Sequence, residues 1–174
     1  MRLLYSLPLL LSAAFAVAGC GPDDGPAEDS LCIANEAPTA ILGKGVGSAF
    51  IPYEDNEEVG IQPASQGGFG VPVLVRTTGL VAGSTYFADV QLNVEDAGAL
   101  VGEFLQENTG LSCRGDDIGG EVRGVVVGFD PEVYSTNDQL LVLDGTSVDL
   151  VVTVTDEEGN SATVRKSVTI RVGG

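Results

Sequence analysis

The sequence predicts an all-β domain, a sandwich of about eight or nine short strands. Three observations carry that expectation. β-branched residues alternate with polar ones at period two through the C-terminal third. Turn residues separate the apolar runs, helped by 24 glycines and 8 prolines that suit many short elements better than a few long ones. Helical spacing shows in one stretch alone, Ala97 to Asn108.

The strands are read in chain order. Short runs at Val46–Pro52 and Glu57–Gln62 open the series. "FGVPVLVRTTG" (Phe69 to Gly79) puts Val71, Val73 and Val75 on one side, and its Pro72 marks an edge strand or a bulge. "STYFADVQLNV" (Ser84 to Val94) alternates Tyr86, Ala88, Val90, Leu92 and Val94 against Thr85, Asp89, Gln91 and Asn93. The helically spaced stretch has apolar residues at Ala97, Leu100, Val101, Phe104 and Leu105, but Gly98 and Gly102 weaken a helix. It is therefore expected as a strand near Leu100 to Gln106. "EVRGVVVGF" (Glu121 to Phe129) groups Val125, Val127 and Phe129, and a short run follows at Gln139–Leu143.

The last two strands are the clearest. Ser147–Thr155 places Val148, Leu150, Val152 and Val154 inside, with Asp149, Thr153 and Thr155 outside. Ser161–Val172 places Ala162, Val164, Val168, Ile170 and Val172 inside, with Thr163, Arg165, Ser167, Thr169 and Arg171 outside. Between them "DEEGN" (Asp156 to Asn160) supplies an Asp for the start of a type I turn and Gly159 for a left-handed position, which makes the pair a hairpin. This hairpin resembles the last hairpin of bacterial immunoglobulin-like domains, where "V-x-V-T-D-x-x-G-N-x-A" is frequent. The resemblance spans about 25 residues and implies an immunoglobulin-like antiparallel β-sandwich, while saying almost nothing about function.

Charge and composition exclude several functions. A formal net charge of −17 repels phosphate backbones, so nucleic-acid binding is not expected. The same field opposes docking on anionic lipid and suits cations or basic partners. The chain has no His, which rules out Ser-His-Asp and Cys-His chemistry and removes the commonest transition-metal ligand.

The N-terminus reads as an address. "MRLLYSLPLLLSAAFAVAGC" has a positive start at Arg2 and an uncharged apolar run from Leu3 to Ala18, too short for a comfortable membrane span and laid out as a secretory signal. Its end, "VAGC" (Val17, Ala18, Gly19, Cys20), resembles the lipobox of bacterial lipoproteins. The resemblance implies cleavage before Cys20 and two or three acyl chains on it, diacylglycerol and palmitate among them. Two or more chains hold a protein stably, at roughly 0.8 kcal/mol per buried CH₂. Gly21 after the cysteine, where an Asp retains many lipoproteins at the inner membrane, favours the outer membrane, facing the periplasm or the cell surface. The region Leu42–Arg76 is also similar to segments of uncharacterised envelope lipoproteins of Gram-negative soil bacteria, which implies no activity.

The expected organisation is therefore signal peptide 1–19, lipidated tether 20–37 and domain 38–174. "GPDDGPAEDS" (Gly21 to Ser30) carries Asp23, Asp24, Glu28 and Asp29 with Pro22 and Pro26 and no cation, the composition of an extended, self-repelling spacer. Its ten residues reach at most about 35 Å. With Cys20 spent on lipid, Cys32 and Cys113 remain, and an exported domain meets oxidising conditions, so one disulfide is expected between them.

Candidate sites are sparse. "SQGGFGV" (Ser65 to Val71) is a Gly-rich loop that offers Gln66 and Phe69 to a ligand; it precedes a strand, so phosphate binding is not expected. Asp156, Glu158 and Asn160, with Glu157, are hard oxygen ligands for Ca²⁺, to be completed by Asp116 and Asp117 or by Glu54, Asp55 and Glu57 if the fold gathers them. "RGD" (Arg114 to Asp116) matches an integrin tripeptide but reads best as a polar loop beside Cys113. No carboxylate pair is singled out for glycoside hydrolysis, and Trp is absent as a sugar platform. The expected function is a structural or partner-binding envelope module without catalysis or cofactor; a carboxylate hydrolase and a Ca²⁺-dependent adhesion module are the alternatives.

Overall fold

The computed structural model describes residue 32 and residues 36–46, 49–64, 68–114 and 119–173. The elements are β1 (Thr39–Lys44), β2 (Ile51–Pro52), β3 (Glu57–Gly60), β4 (Gln62–Pro63), β5 (Phe69–Thr78), β6 (Phe87–Asp96), β7 (Ala99–Gly110), β8 (Ser112–Cys113), β9 (Gly120–Phe129), α1 (Asn137–Leu140), β10 (Ser147–Asp156) and β11 (Ser161–Arg171). A 3-10 turn over Leu141–Leu143 continues α1.

The alternation read from the sequence becomes the core. Val71, Val73 and Val75 of β5, Leu92 of β6, Val127 of β9, Leu150 of β10 and Ile170 of β11 all join one buried cluster. Each such side chain contributes about 1.5–3 kcal/mol by leaving water. The strands follow the order β2-β1-β5-β9-β7-β6-β10-β11-β3, with β4 added to β5 and β8 to β9. This path curls. β1 lies against β10 and β11, and Lys44 of β1 makes an ion pair with Glu57 of β3.

The all-β class holds, with several corrections to the expected layout. Eleven strands lie on one hydrogen-bonded mixed sheet. Three of them, β2, β4 and β8, have two residues each, too few to carry an alternation in sequence. The pairing is not wholly antiparallel, because β3 runs parallel to β11, Glu57 opposite Val168 and Gly60 opposite Arg171. Gln139–Leu143, expected as a strand, is helical: Thr136 accepts from the Gln139 N–H and the Gln139 side chain reaches back to the Thr136 N–H, a capping box. The strand expected near Leu100 to Gln106 forms and is longer, Ala99–Gly110, while Ala97 and Gly98 make the turn that leads into it. The β10–β11 hairpin also forms as expected, with Gly159 at φ 84. Pro72 lies inside β5, opposite Val126 of β9, rather than on an outer strand; the bulge, its other expected setting, falls just beyond it, where the register shifts between Val73 and Val75. On its other flank, β4 pairs only with Phe69 and Gly70 and β1 only from Leu74 onward, so Pro72 occupies a gap where no N–H is called for.

The path is pinched between β9 and β7, which pair only at Gly102↔Phe129 and Glu103↔Gly128. A Cβ on Gly102 would lie 2.6 Å from the Gly128 carbonyl oxygen, so glycine permits this approach. Gly102→Ala is expected to push the strands apart at a cost of about 2 kcal/mol. The measurements are the urea midpoint, which should fall, and amide exchange over Phe104–Gly110, which should quicken.

Candidate functional site

Register divides the molecule into two poles. Thr39, Thr78, Phe87, Gly110, Gly120 and the Asp156–Asn160 turn lie at one end; Gly60, Phe69, Asp96, Ala99, Phe129, Ser147 and Arg171 lie at the other.

The first end is the disulfide pole. Cys32 and Cys113 are bonded, with Cα atoms 5.7 Å apart. Cys32 is buried, and its N–H donates to the Ala82 carbonyl at 2.9 Å. Cys32, ahead of β1, is therefore tied into the folded domain at this pole.

The opposite pole carries a groove of about 500 Å³ between the start of β7 and the end of β9. Val101, Phe104, Leu105, Val126 and Pro131 give it apolar walls, and Glu103 and Asp130 are its charged lining residues. Leu100 and Leu105 are exposed beside it, and Val133, Leu141 and Val142 add exposed apolar surface in the β9–β10 connection of the same pole. Asp130 shapes the turn after β9: its N–H donates to Val101 O at 3.0 Å, and its carboxylate accepts from the Glu132 N–H at 2.9 Å. Among the described residues, the lining contains no Ser, Cys, Lys or Tyr. What it offers is apolar contact, strand backbone and negative charge.

A second, shallower groove of about 1,170 Å³ runs where the two ends of the sheet path approach, lined by Lys44, Tyr53, Val59, Pro72 and Arg123 among others. Tyr53 closes its floor by donating its hydroxyl to Pro72 O at 2.5 Å. Burial, with the Glu57 charge adding to it, pushes that hydroxyl well above the usual phenol range, so it remains a donor.

The sequence-predicted site residues separate. Cys20, Gln66, Asp116 and Asp117 lie outside the described residues. Phe69 opens β5 at the groove pole, half-buried against the core rather than presented to solvent. Of the expected Ca²⁺ ligands Asp156, Glu158 and Asn160, Asp156 is otherwise engaged. Asp156 is buried and faces N–H groups: Val81 at 3.0 Å, Glu158 at 3.0 Å, Asn160 at 2.8 Å and the Asn160 amide at 3.1 Å. Its oxygens are saturated by donors, so it staples the turn to the chain after β5 rather than presenting a cation ligand. Asp55 and Glu57 are taken by Lys166 and Lys44. Among the described residues, no three Cys, Asp or Glu side chains gather as a metal site.

The other buried carboxylate among the described residues is Glu121. It pairs with Arg123 and accepts from Arg76 Nε at 2.6 Å, and the Arg76 guanidinium lies 4.3 Å from the Phe50 ring centroid. Neither Glu121 nor Asp156 lines either of the two grooves described above. Sequence reasoning missed Glu103, Leu105 and Asp130. The available signal was Leu105 standing out of phase with a core alternation. Comparison of the chain with protein-family models, with curated proteins and with solved structures finds no match.

Proposed function

We propose that this chain is a lipid-anchored envelope protein whose immunoglobulin-like domain is a binding module, held at the disulfide pole and offering the opposite pole to a partner. The observation that carries this reading is polarity: Cys32 joins the fold at the end away from the β7–β9 groove. Between Cys20 and Cys32 the chain reaches at most about 40 Å when extended, which sets the groove pole outermost from a lipid surface.

The sandwich reading is supported by the pinch at β7–β9. On one side of it stand β1-β5-β9 and on the other β7-β6-β10-β11, and both contribute to a single core. A binding role is supported by the groove lining, which combines apolar side chains with exposed carboxylates.

Membrane fractionation of the wild type and of Cys20→Ala tests the anchor. The wild type is expected in the membrane fraction and the variant in the soluble fraction. A variant that stays with the membrane overturns the anchor.

A further inference from the structure

We propose that the free edge of β7 takes an extended basic peptide as an added strand, pairing along Phe104–Glu107, with one apolar side chain of the peptide in the adjoining groove. This names the partner class for the binding pole and rests on the reading of that pole as the presented one.

The edge is open. β7 pairs with β6 from Ala99 to Gly110 but with β9 only at Gly102 and Glu103. β9 next pairs on that side at Glu121 and Gly120, with β8. Between these pins no described strand covers β7 beyond Glu103. Val101 O accepts from Asp130, and peptide groups alternate sides along a strand, so Leu105 turns its N–H and C=O to the uncovered side. A bulge sets Glu107 and Asn108 opposite Asp89, which ends the regular stretch.

Part of the usual edge protection is missing. Natural edge strands carry Lys or Pro that deter pairing; Phe104–Gly110 has neither. Leu105 is 68% exposed beside the groove.

Charge selects the occupant. Glu103 and Glu107 lie on β7, Asp130 lines the groove, and no cation among the described residues lines it. Lys44, Arg76, Arg123, Arg165, Lys166 and Arg171 are each engaged by carboxylates elsewhere. A second copy pairing β7 to β7 would bring Glu103 and Glu107 against the same residues, a repulsive arrangement. A strand bearing Lys or Arg at alternate positions meets the opposite charge.

The test titrates the full-length chain in detergent micelles with a labelled peptide of about ten residues alternating Val and Lys. Binding is expected, with slowed amide exchange over Phe104–Glu107. Alternate backbone N-methylation, which keeps the charge but blocks the ladder, is expected to weaken binding by about tenfold or more, as is the double variant Glu103→Lys with Glu107→Lys. Glu157→Lys with Glu158→Lys, at the other pole, should leave it within about twofold. No binding, equal binding of the N-methylated peptide, or equal loss from the remote pair overturns the proposal, as does a dimer of the chain that protects the same amides. A Cys20→Ala variant that remains at the membrane would remove the anchor without altering this titration.

Discussion

Replacing Cys32 and Cys113 together by alanine is expected to lower the free energy of unfolding by about 4 kcal/mol. The bond closes a sequence separation of 81 residues, so it removes many conformations from the unfolded chain. Domains have only about 5–15 kcal/mol in total, so this is a large fraction. The folded state loses locally as well. Cys32 is buried and its N–H bond to the Ala82 carbonyl lies beside the disulfide, so truncating it loosens that contact as well. Urea unfolding measures the loss. Reductant should shift the wild-type midpoint by the same amount and leave the double variant unmoved. A wild type insensitive to reductant would show that the cross-link does not restrain the unfolded chain. Under the anchoring proposal this bond is also where the tether meets the domain.

The strands that bury one face were legible because period-two alternation is a local consequence of burial. Val148, Leu150, Val152 and Val154 fall inside as their positions require, and so do Val71, Val73 and Val75. Local pattern could not give partners. The parallel match of Glu57 with Val168 joins residues far apart in sequence, and its four residues are too short a signal. α1 was misread as a strand although its capping box, Thr136 with Gln139, stood in the sequence. Apolar content in Leu140–Leu143 outweighed that cue, yet only Leu140 and Leu143 turn into the core while Leu141 and Val142 face water.

The candidate site was less legible than the fold, for a related reason. β7 loses its β9 neighbour after Glu103, so its side chains are not sorted into a wet face and a dry one. Without sorting there is no alternation, and Leu100, Val101, Phe104 and Leu105 fell by chance into helical spacing. A site made from an uncovered strand edge therefore appears in sequence as a broken pattern, not as a motif. Asp156 illustrates the converse. It continues the inward parity of Val148, Leu150, Val152 and Val154, and that parity outranks its polar side chain: it is buried with them.

Asp156→Ala is expected to destabilise the domain by about 3 kcal/mol. The carboxylate gathers the N–H groups of Val81, Glu158 and Asn160 and the Asn160 side chain, joining the β10–β11 turn to the segment after β5. Removing it leaves the buried Val81 N–H without its acceptor and releases the turn. Asp156→Asn keeps one oxygen but turns an NH₂ toward two of the same donors, so most of the loss should remain. The pH dependence separates charge from packing. Burial by itself raises this carboxyl, but the hydrogen bonds from Val81, Asn160 and Glu158 outweigh it and hold the group below the usual carboxylate range. A carboxyl depressed in the folded state stabilises in full above its unfolded value, about 3.9, and that stabilisation drains away as pH falls through the folded value. Asp149, Glu57 and Glu58 are lowered too, by Ser167, Lys44 and Arg171 respectively, so wild-type stability alone would fall in acid for several reasons at once. The informative quantity is the difference between the wild type and Asp156→Ala, measured by urea unfolding at a series of pH values. It should be constant near neutrality and shrink below about pH 4. A difference that stays constant into acid would mean that the shape of the side chain, not its charge, holds the turn.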